Sequence, residues 1–224
     1  MNRVSILTTS REAAGFEPFA HGDTLFAFGH LPADGPRGLV EGPAWTFVDW
    51  VMDDLSGLEM CRRLRADPRM RDAHVTIVLE QDDAEDRRRA LKAGADDYAI
   101  GPLGRQAMLD RVLALYSGDR QRGPAQLIEV GDLQINVAGE QARWRGRQVQ
   151  LRPNEFRVLR FMAENPNRVL TRQELVDALG KAGDPEYLRT VDVWIKRLRF
   201  GLRAAGAGGL LRTVHGKGYV LDLP

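Results

Sequence analysis

A polar break near the middle of the chain is the feature that most constrains its fold. Residues 117–125, Ser-Gly-Asp-Arg-Gln-Arg-Gly-Pro-Ala, contain no apolar periodicity and a Gly-Pro pair close to their end. Such a segment is typical of a linker between folded units. We therefore predict two domains, residues 1–116 and 126–224, each of them long enough to enclose a hydrophobic core.

The two halves of the chain carry opposite charge. Residues 1–116 contain 14 Lys and Arg against 19 Asp and Glu, whereas residues 117–224 contain 18 against 12, which gives −5 and +6. A basic unit joined to an acidic one favours a nucleic-acid-binding module attached to something else. The sequence has neither a run of ~20 apolar residues nor a secretion signal, so we expect a cytoplasmic protein without a membrane partner.

Strand and helix patterns alternate through the first domain. Three short apolar runs predict strands: Val4–Thr8, Trp45–Val51 and Val75–Leu79. Three segments have helical periodicity: Leu58–Arg65, Asp83–Lys92 and Arg105–Tyr116. The alternation predicts an α/β domain, a parallel sheet with helices on both faces. Residues 9–44 are rich in glycine and proline without a helical period, so we expect a first crossover that is shortened or rebuilt.

Short strands, three helices and a hairpin are predicted for the second domain. The strand patterns are Leu127–Val130, Leu133–Ile135, Ala142–Trp144 and Gln148–Leu151. The helices are predicted to begin near Pro153, at the capping box that starts with Thr171, and at Leu188, the third of them ending near Arg203. With a hairpin over residues 211–221, this order predicts an α+β winged helix-turn-helix domain.

The third helix of this domain combines an apolar stripe with a basic outer face. Val191, Ile195, Leu198 and Leu202 recur at helical spacing and are predicted to face the core. A rotation of ~100° per residue predicts the DNA contacts: Arg189, Thr190, Val193, Lys196 and Arg197 opposite the stripe, Arg199 and Arg203 on one flank, and Trp194 on the other. A solvated cationic surface is the alternative. The position within a helix-turn-helix favours a major-groove contact.

The hairpin turn adds two candidate contacts to DNA. Its sequence is His215-Gly-Lys-Gly218, in which the glycines permit the positive φ angles of a tight turn. His215 and Lys217 lie at the tip, from which a cation reaches a minor groove.

These motifs resemble the OmpR/PhoB class of response regulators. The resemblance rests on Arg189-Thr-Val-Asp-Val193, Ile195-Lys-Arg-Leu-Arg199 and Thr213-Val-His-Gly-Lys-Gly-Tyr219, and it covers essentially the C-terminal half. It implies that the third helix reads the major groove, that the wing enters the minor groove, and that the loop before the third helix contacts RNA polymerase. His215 stands where the family has an arginine, and Lys217 is its candidate substitute.

The first half resembles the receiver domain of the same class. Phe47-Val-Asp49-Trp, Ser56-Gly57 and Gly94-Ala-Asp-Asp-Tyr98 carry the resemblance, which puts Asp49 at the phosphoacceptor position. The other family groups are replaced: Thr8 and Thr9 stand for two magnesium-binding acids, Leu79 for the signalling hydroxyl and Gly101 for the phosphate-binding lysine. Magnesium depends on carboxylate ligands. We therefore predict a degenerate receiver with no bound metal and no cofactor.

Two further expectations concern the receiver. Loop acids Asp53 and Asp54, with Glu80, are the alternative for a rebuilt cation site. The resemblance also implies a dimer face that contains Arg89, Asp96, Asp97 and Arg111, with Ala107 in place of a family acid. Ordinary solvated charges are the alternative reading of that face.

The leading hypothesis is a sequence-specific transcription regulator that binds tandem sites on double-stranded DNA as a homodimer, without aspartyl phosphorylation. A protein-interaction adaptor is the second hypothesis, and a conventional phosphorylation-activated regulator with a rebuilt metal site is the third. The sequence contains no nucleophile paired with a base and no phosphate-binding glycine loop, so an enzyme is not expected.

Overall fold

The computed structural model describes residues 2–36, 40, 42–120, 127–137, 140–182 and 184–223, with the backbone alone at residues 14 and 117–120. The chain divides into two compact units, Met1–Leu115 and Tyr116–Pro224. Within the described residues, no helix is long and apolar enough to cross a membrane.

A mixed sheet of six strands forms the centre of the first unit. The strands are β1 (Asn2–Thr8), β2 (Phe19–His21), β3 (Thr24–His30), β4 (Ala44–Asp49), β5 (His74–Leu79) and β6 (Asp97–Ile100). Their order is β2-β3-β1-β4-β5-β6, and all neighbours are parallel except the β2 and β3 pair. The predicted parallel sheet is confirmed, and β2 is an antiparallel addition at one edge.

The first crossover is rebuilt, as the glycine-rich and proline-rich sequence predicts. A single turn of 3-10 helix at Arg11–Gly15 follows β1, and the antiparallel pair β2 and β3 comes next. The ring of Phe16 packs edge-on against that of Phe28 in β3, with the ring centres 5.6 Å apart. The chain thus returns to the sheet beside β1 through a hairpin instead of a long helix.

Three helices follow the last three strands of this sheet: α1 (Gly57–Ala66), α2 (Ala84–Ala93) and α3 (Arg105–Arg120). The side chain of Ser56 caps α1, and that of Asp83 caps α2 by accepting the N–H groups of Glu85 and Asp86. Gly94 ends α2 with a φ of 112°, a left-handed conformation that favours glycine. The first four residues of the predicted linker, 117–120, are helical because α3 extends through them, and residues 121–125 of that linker lie outside the described residues. One glycine inside a helix costs only about 1 kcal/mol, so Gly118 does not end it.

Helices cover both faces of the sheet. On one face, α1 and α2 enclose a core that contains Leu64, Ala90, Val48 and Ile77. Phe28 points to the other face because strand residues alternate, and the guanidinium of Arg105 at the start of α3 lies 5.2 Å from its ring centre. This arrangement confirms the predicted α/β class.

The second unit has the predicted winged-helix order. An antiparallel sheet β10-β9-β8-β7 consists of β7 (Leu127–Val130), β8 (Leu133–Asn136), β9 (Gln141–Trp144) and β10 (Arg147–Val149). The helices are α4 (Pro153–Glu164), α5 (Arg172–Ala178) and α6 (Pro185–Ala204), and the hairpin strands are β11 (Leu211–Val214) and β12 (Gly218–Leu221). The predicted third helix starts three residues too late, because Asp184 caps α6 by accepting the Glu186 N–H. The last predicted strand also ends earlier, at Val149.

A short bridge joins the wing to the chain between α4 and α5. Leu170 and Tyr219 exchange two backbone hydrogen bonds, of 2.8 Å and 2.9 Å. Gly218 has a φ of 153°, and a Cβ atom there would lie 2.0 Å from the Leu170 carbonyl oxygen. Only glycine fits this position, because any side chain would overlap backbone atoms.

Candidate nucleic-acid interface and the Asp49 cleft

Helix α6 buries the stripe that the sequence predicts. The side chains of Val191, Ile195, Leu198 and Leu202 are all at most 1% exposed. They pack in the core of the second unit, where α6 meets α4 and α5. This burial fixes which residues of α6 face outward.

The opposite side of α6 carries five exposed side chains in one line. Their spacing of four, three, four and three residues keeps them on one helix face. We call this set the outer stripe: Arg189, Val193, Lys196, Phe200 and Arg203. Four of the five belong to the predicted DNA contacts. The fifth, Phe200, is 78% exposed and is absent from the predicted contacts because an aromatic side chain carries no charge signal for DNA binding.

Trp194 and Thr190 are corrections to the predicted DNA contacts. Trp194 is fully buried and stacks near Tyr187, with ring centres 6.1 Å apart. Thr190 is 7% exposed, and its hydroxyl donates to the Glu186 carbonyl oxygen at 3.0 Å. The prediction failed because a helix packed on two neighbours buries a wider arc than a stripe of four residues.

Arg197 lies on a flank of α6 instead of the outward face predicted for it, whereas Arg199 lies on a flank as predicted. The side chain of Arg197 is 26% exposed, and its Nη1 lies 3.8 Å from Oε1 of the buried Glu155 in α4. The Arg199 guanidinium donates to the Leu211 carbonyl oxygen and, at 2.5 Å, to the Thr213 hydroxyl. Arg199 therefore connects α6 to the first wing strand.

Arg172, Asp192 and Tyr219 form a hydrogen-bonded cluster between α5, α6 and the wing. Arg172 donates to Asp192 at 2.8 Å and to the Tyr219 hydroxyl at 3.0 Å, and that hydroxyl donates to Asp192 at 2.5 Å. Burial acts to raise the pKa of Asp192, but the hydrogen bonds from Arg172 and Tyr219 outweigh it and lower this pKa. Burial and the bond to Asp192 raise the pKa of Tyr219. The cluster therefore links α5, α6 and the second wing strand.

The wing tip presents both predicted side chains to solvent. His215 and Lys217 are exposed on the turn between β11 and β12. The Lys217 N–H donates to the Val214 carbonyl oxygen at 3.0 Å, and Gly216 has a φ of 71°. In the loop before α6, the ammonium of Lys181 lies 4.4 Å from the ring centre of Tyr187.

A cleft of about 360 Å³ lies at the carboxyl ends of β1, β3 and β4. Asp49 and Thr9 lie in its wall and bind each other twice. The Thr9 hydroxyl donates to Asp49 Oδ2 at 2.8 Å, and the Asp49 N–H donates to Thr9 Oγ1 at 2.9 Å. Thr8 is fully buried, and its hydroxyl oxygen accepts the Ser10 N–H. The side chain beside Asp49, at a position where the resemblance implies a metal-binding acid, is thus a neutral hydroxyl.

The two other replaced positions offer no polar side chain to this cleft. Leu79 is 1% exposed. At Gly101 a Cβ atom would lie 2.3 Å from Val78 Cγ1, so a larger residue fits only if Val78 moves. Neither position therefore carries a side chain that can hydrogen-bond a phosphoryl oxygen.

The alternative of a rebuilt cation site has little support in the geometry. Asp53 pairs with Arg11 at 2.6 Å, and Asp54 and Glu80 are exposed. Across the described ranges, no three His, Cys, Asp or Glu side chains come close enough to hold a metal ion.

Asp96 is a further correction, because it is buried and structural. Its Oδ2 lies 2.5 Å from Arg65 Nη2 and accepts the Val75 N–H at 2.9 Å, and the Asp96 and Arg65 side chains are 1% and 9% exposed. An enclosed carboxylate cannot form a salt bridge with a second copy of the chain. The sequence pattern failed here because Asp96 and Asp97 are adjacent but point in different directions.

The remaining predicted dimer residues are accessible to different degrees. Arg89 pairs with Asp86 at 3.0 Å, and its guanidinium lies 5.3 Å from the ring centre of Trp50. Asp97 is half-buried on β6 and accepts the Tyr98 N–H. Arg111 is exposed on α3.

Comparison with known proteins matches both units. The model described as "Response regulator receiver domain" matches residues 41–113, and "Transcriptional regulatory protein, C terminal" matches residues 146–221. The receiver match begins after the rebuilt crossover.

Two relatives span most of the chain. The phosphate regulon transcriptional regulatory protein PhoB of Rhizobium meliloti is 34% identical over 182 residues, 80% of this chain and 79% of its own. The transcriptional regulatory protein PrrA of Mycobacterium bovis is 34% identical over 194 residues, with shares of 85% and 82%. A solved structure of a RitR mutant covers 99% of both chains at 20% identity and a TM-score of 0.55, which supports the fold alone.

Proposed function

The chain belongs to the OmpR/PhoB class of response regulators, and from this premise we propose that it binds tandem DNA sites as a homodimer without aspartyl phosphorylation. The class assignment makes it a DNA-binding transcription regulator and not an enzyme. We further propose that the protein acts in the cytoplasm, that its second unit contacts DNA and that its first unit forms the dimer.

The outer stripe of α6 is the observation that supports major-groove reading. Arg189, Lys196 and Arg203 face solvent along one line, and this line lies opposite the buried stripe of the same helix. Lysine and arginine pair with guanine O6 and N7, and cations at the ends of a helix neutralise phosphates. His215 and Lys217 at the wing tip add a second contact in the adjacent minor groove.

The flanking residues support the interface in another way. Arg199 binds the first wing strand, so we assign it a role in positioning the wing. Arg197 lies beside Glu155 and is partly exposed, so we assign it to the edge of the groove. By resemblance to the family, we also propose that the loop before α6, around Lys181, contacts RNA polymerase.

Tandem binding is tested by changing the spacing of half-sites. Two recognition helices of a dimer meet the same face of the duplex when their sites are ~10–10.5 base pairs apart. Inserting about five base pairs rotates one site to the opposite face, and we expect the affinity measured by titration to fall at least about tenfold. Unchanged affinity would mean that single copies bind independently.

The dimer itself is proposed to use Arg89, Asp97 and Arg111 of the first unit. A charge reversal, Arg111→Glu, is expected to shift sedimentation toward the monomer, whereas Arg62→Glu, at an exposed arginine of α1, is the matched control because α1 carries none of the proposed dimer residues. If Arg111→Glu leaves the oligomeric state unchanged at all protein concentrations, the dimer face lies elsewhere.

Independence from phosphorylation rests on the Thr9 and Asp49 pair. Acid ligands, the lysine and the signalling hydroxyl are replaced together, and removal of one such electrostatic group typically costs about 10²–10³ in rate. Small phosphodonors and beryllofluoride with Mg²⁺ are therefore expected to change neither the intact mass nor the DNA affinity, and Asp49→Ala should retain wild-type affinity. A gain of one phosphoryl group that disappears in Asp49→Ala, with tighter DNA binding, would overturn this proposal.

A further inference from the structure

Phe200 is the most exposed of the large hydrophobic side chains on the outer stripe of α6. It is 78% exposed, and Val193 on the same stripe is 40% exposed. We infer that Phe200 is a specificity-determining residue that contacts the 5-methyl group of a thymine in the major groove. The inference rests on the proposed major-groove role of α6.

The position of Phe200 within the stripe supports this assignment. Lys196 lies four residues before it and Arg203 three residues after it, so cations flank the ring on the same helix face. Phe200 is about 6 Å from Lys196 along the helix axis. If Lys196 binds a base edge in the groove, the Phe200 ring on the same helix face lies close to the neighbouring base edges.

The chemistry of the groove identifies the ligand. A phenyl ring makes no hydrogen bond, so it cannot distinguish the donors and acceptors of guanine, adenine and cytosine. Thymine alone presents a methyl group in the major groove, and apolar side chains are its usual contacts. Burial of one methyl group changes affinity about fourfold, or about 0.8 kcal/mol.

The large exposed area of the Phe200 ring is a second argument for a partner surface at this position. Single exposed apolar residues are common on protein surfaces. Phe200 differs because it occupies the same line as Arg189, Val193 and Lys196, where a partner surface is expected. A tandem copy or another protein is the competing occupant, and sensitivity to the thymine methyl group separates the two cases.

The experiment uses the full chain and a duplex that the wild type selects from a random-sequence library. Each thymine of that duplex is replaced in turn by deoxyuridine, which retains the O4 acceptor and lacks the methyl group. Binding is titrated for wild type, Phe200→Ala, Phe200→Leu and Lys196→Ala. Leu127→Ala is the matched control, because Leu127 is a 54% exposed apolar residue on β7, away from α6.

For wild type, we expect deoxyuridine at one thymine in each half-site to weaken binding about fourfold. In Phe200→Ala the same substitution should have no further effect, while Phe200→Leu should keep part of the sensitivity and Leu127→Ala all of it. The thermal midpoint of Phe200→Ala should equal that of wild type, since the ring is exposed.

Three results would overturn the inference. They are a selected duplex without an A·T pair in the contacted region, wild-type binding that is insensitive to deoxyuridine everywhere, and sensitivity that persists unchanged in Phe200→Ala. If Lys196→Ala weakens binding in those cases, only the role of Phe200 fails. If Lys196→Ala also has no effect, the major-groove role of α6 fails with it.

Discussion

The outer stripe of α6 and the Asp49 cleft differ in what their polar groups already bind. Lys196 and Arg203 extend from a helix into solvent. Asp49, by contrast, accepts a hydrogen bond from the Thr9 hydroxyl and donates its backbone N–H to the same side chain. The outer stripe therefore presents cations to an external ligand, whereas the carboxylate of the cleft already has a hydrogen-bond partner within the chain. A retained aspartate alone is therefore weak grounds for assigning phosphotransfer.

The largest expected effect is on DNA affinity. Lys196→Ala removes the central cation of the outer stripe, and specific binding should weaken by about 1–3 kcal/mol, up to about a hundredfold. The measurement is a titration at two salt concentrations, with Lys92→Ala on α2 as the matched lysine control. If the two variants bind alike, the outer stripe is not the contact surface, and the contrast with the cleft disappears.

The next expected effect is on the Asp49 cleft, where a substitution introduces a second carboxylate that could bind a metal ion. Thr9→Asp replaces the neutral partner of Asp49 by a second carboxylate, so stability should fall by about 1–3 kcal/mol from lost hydrogen bonds and like-charge repulsion. Millimolar Mg²⁺ should restore part of the thermal midpoint, because carboxylate pairs bind this ion.

Thr9→Val is the control for this experiment. It removes the same hydrogen bonds without adding charge, so its midpoint should fall without any response to Mg²⁺. If Mg²⁺ leaves the thermal midpoint of Thr9→Asp unchanged, a single restored acid is not sufficient for the cleft to bind the ion.

The smallest expected effect is the pH dependence contributed by Asp192. Its pKa is lowered in the folded state, chiefly by hydrogen bonds from Arg172 and Tyr219 acting against burial. A lowered pKa stabilises the fold above the unfolded pKa of about 3.9, and this contribution is lost as pH falls toward the folded value. Because the carboxylate is 55% exposed, we expect Asp192→Asn to change stability by no more than about 1 kcal/mol at neutral pH.

Acid unfolding measures this last effect. As pH falls from about 4 toward the lowered folded-state pKa of Asp192, the difference between wild type and Asp192→Asn should shrink, because the carboxylate becomes protonated and both side chains are then neutral. A difference that stays constant from neutral to acid pH would assign the role of Asp192 to hydrogen-bond geometry and not to its charge.

Much of the architecture was predictable because it follows from periodicity. The buried stripe of α6 and the alternation of strands and helices in the first unit are encoded in the spacing of apolar residues along the sequence. The start of α6 was misplaced by three residues because Asp184 and Pro185 act through capping, which a search for apolar spacing does not detect.

The failures within the candidate site have a common cause. Sequence position predicts that Trp194, Thr190 and Asp96 lie at surfaces, yet each is buried. The cluster of Arg172, Asp192 and Tyr219 joins residues that are 20 and 47 positions apart, which periodicity within one element does not reveal. Phe200 was different, because its spacing of four from Lys196 was visible in the sequence.

The bridge between Leu170 and Tyr219 has a consequence for which DNA sequences the protein accepts. Gly218 lies against the Leu170 carbonyl oxygen, and the two paired hydrogen bonds fix the hairpin to the segment before α5. The bridge holds the base of the wing against the segment before α5, and Arg199 ties the first wing strand to α6, so both contacts restrain the wing relative to α6. We expect targets to be discriminated by the curvature and groove width that bring both contacts within reach, including at base pairs that no side chain touches.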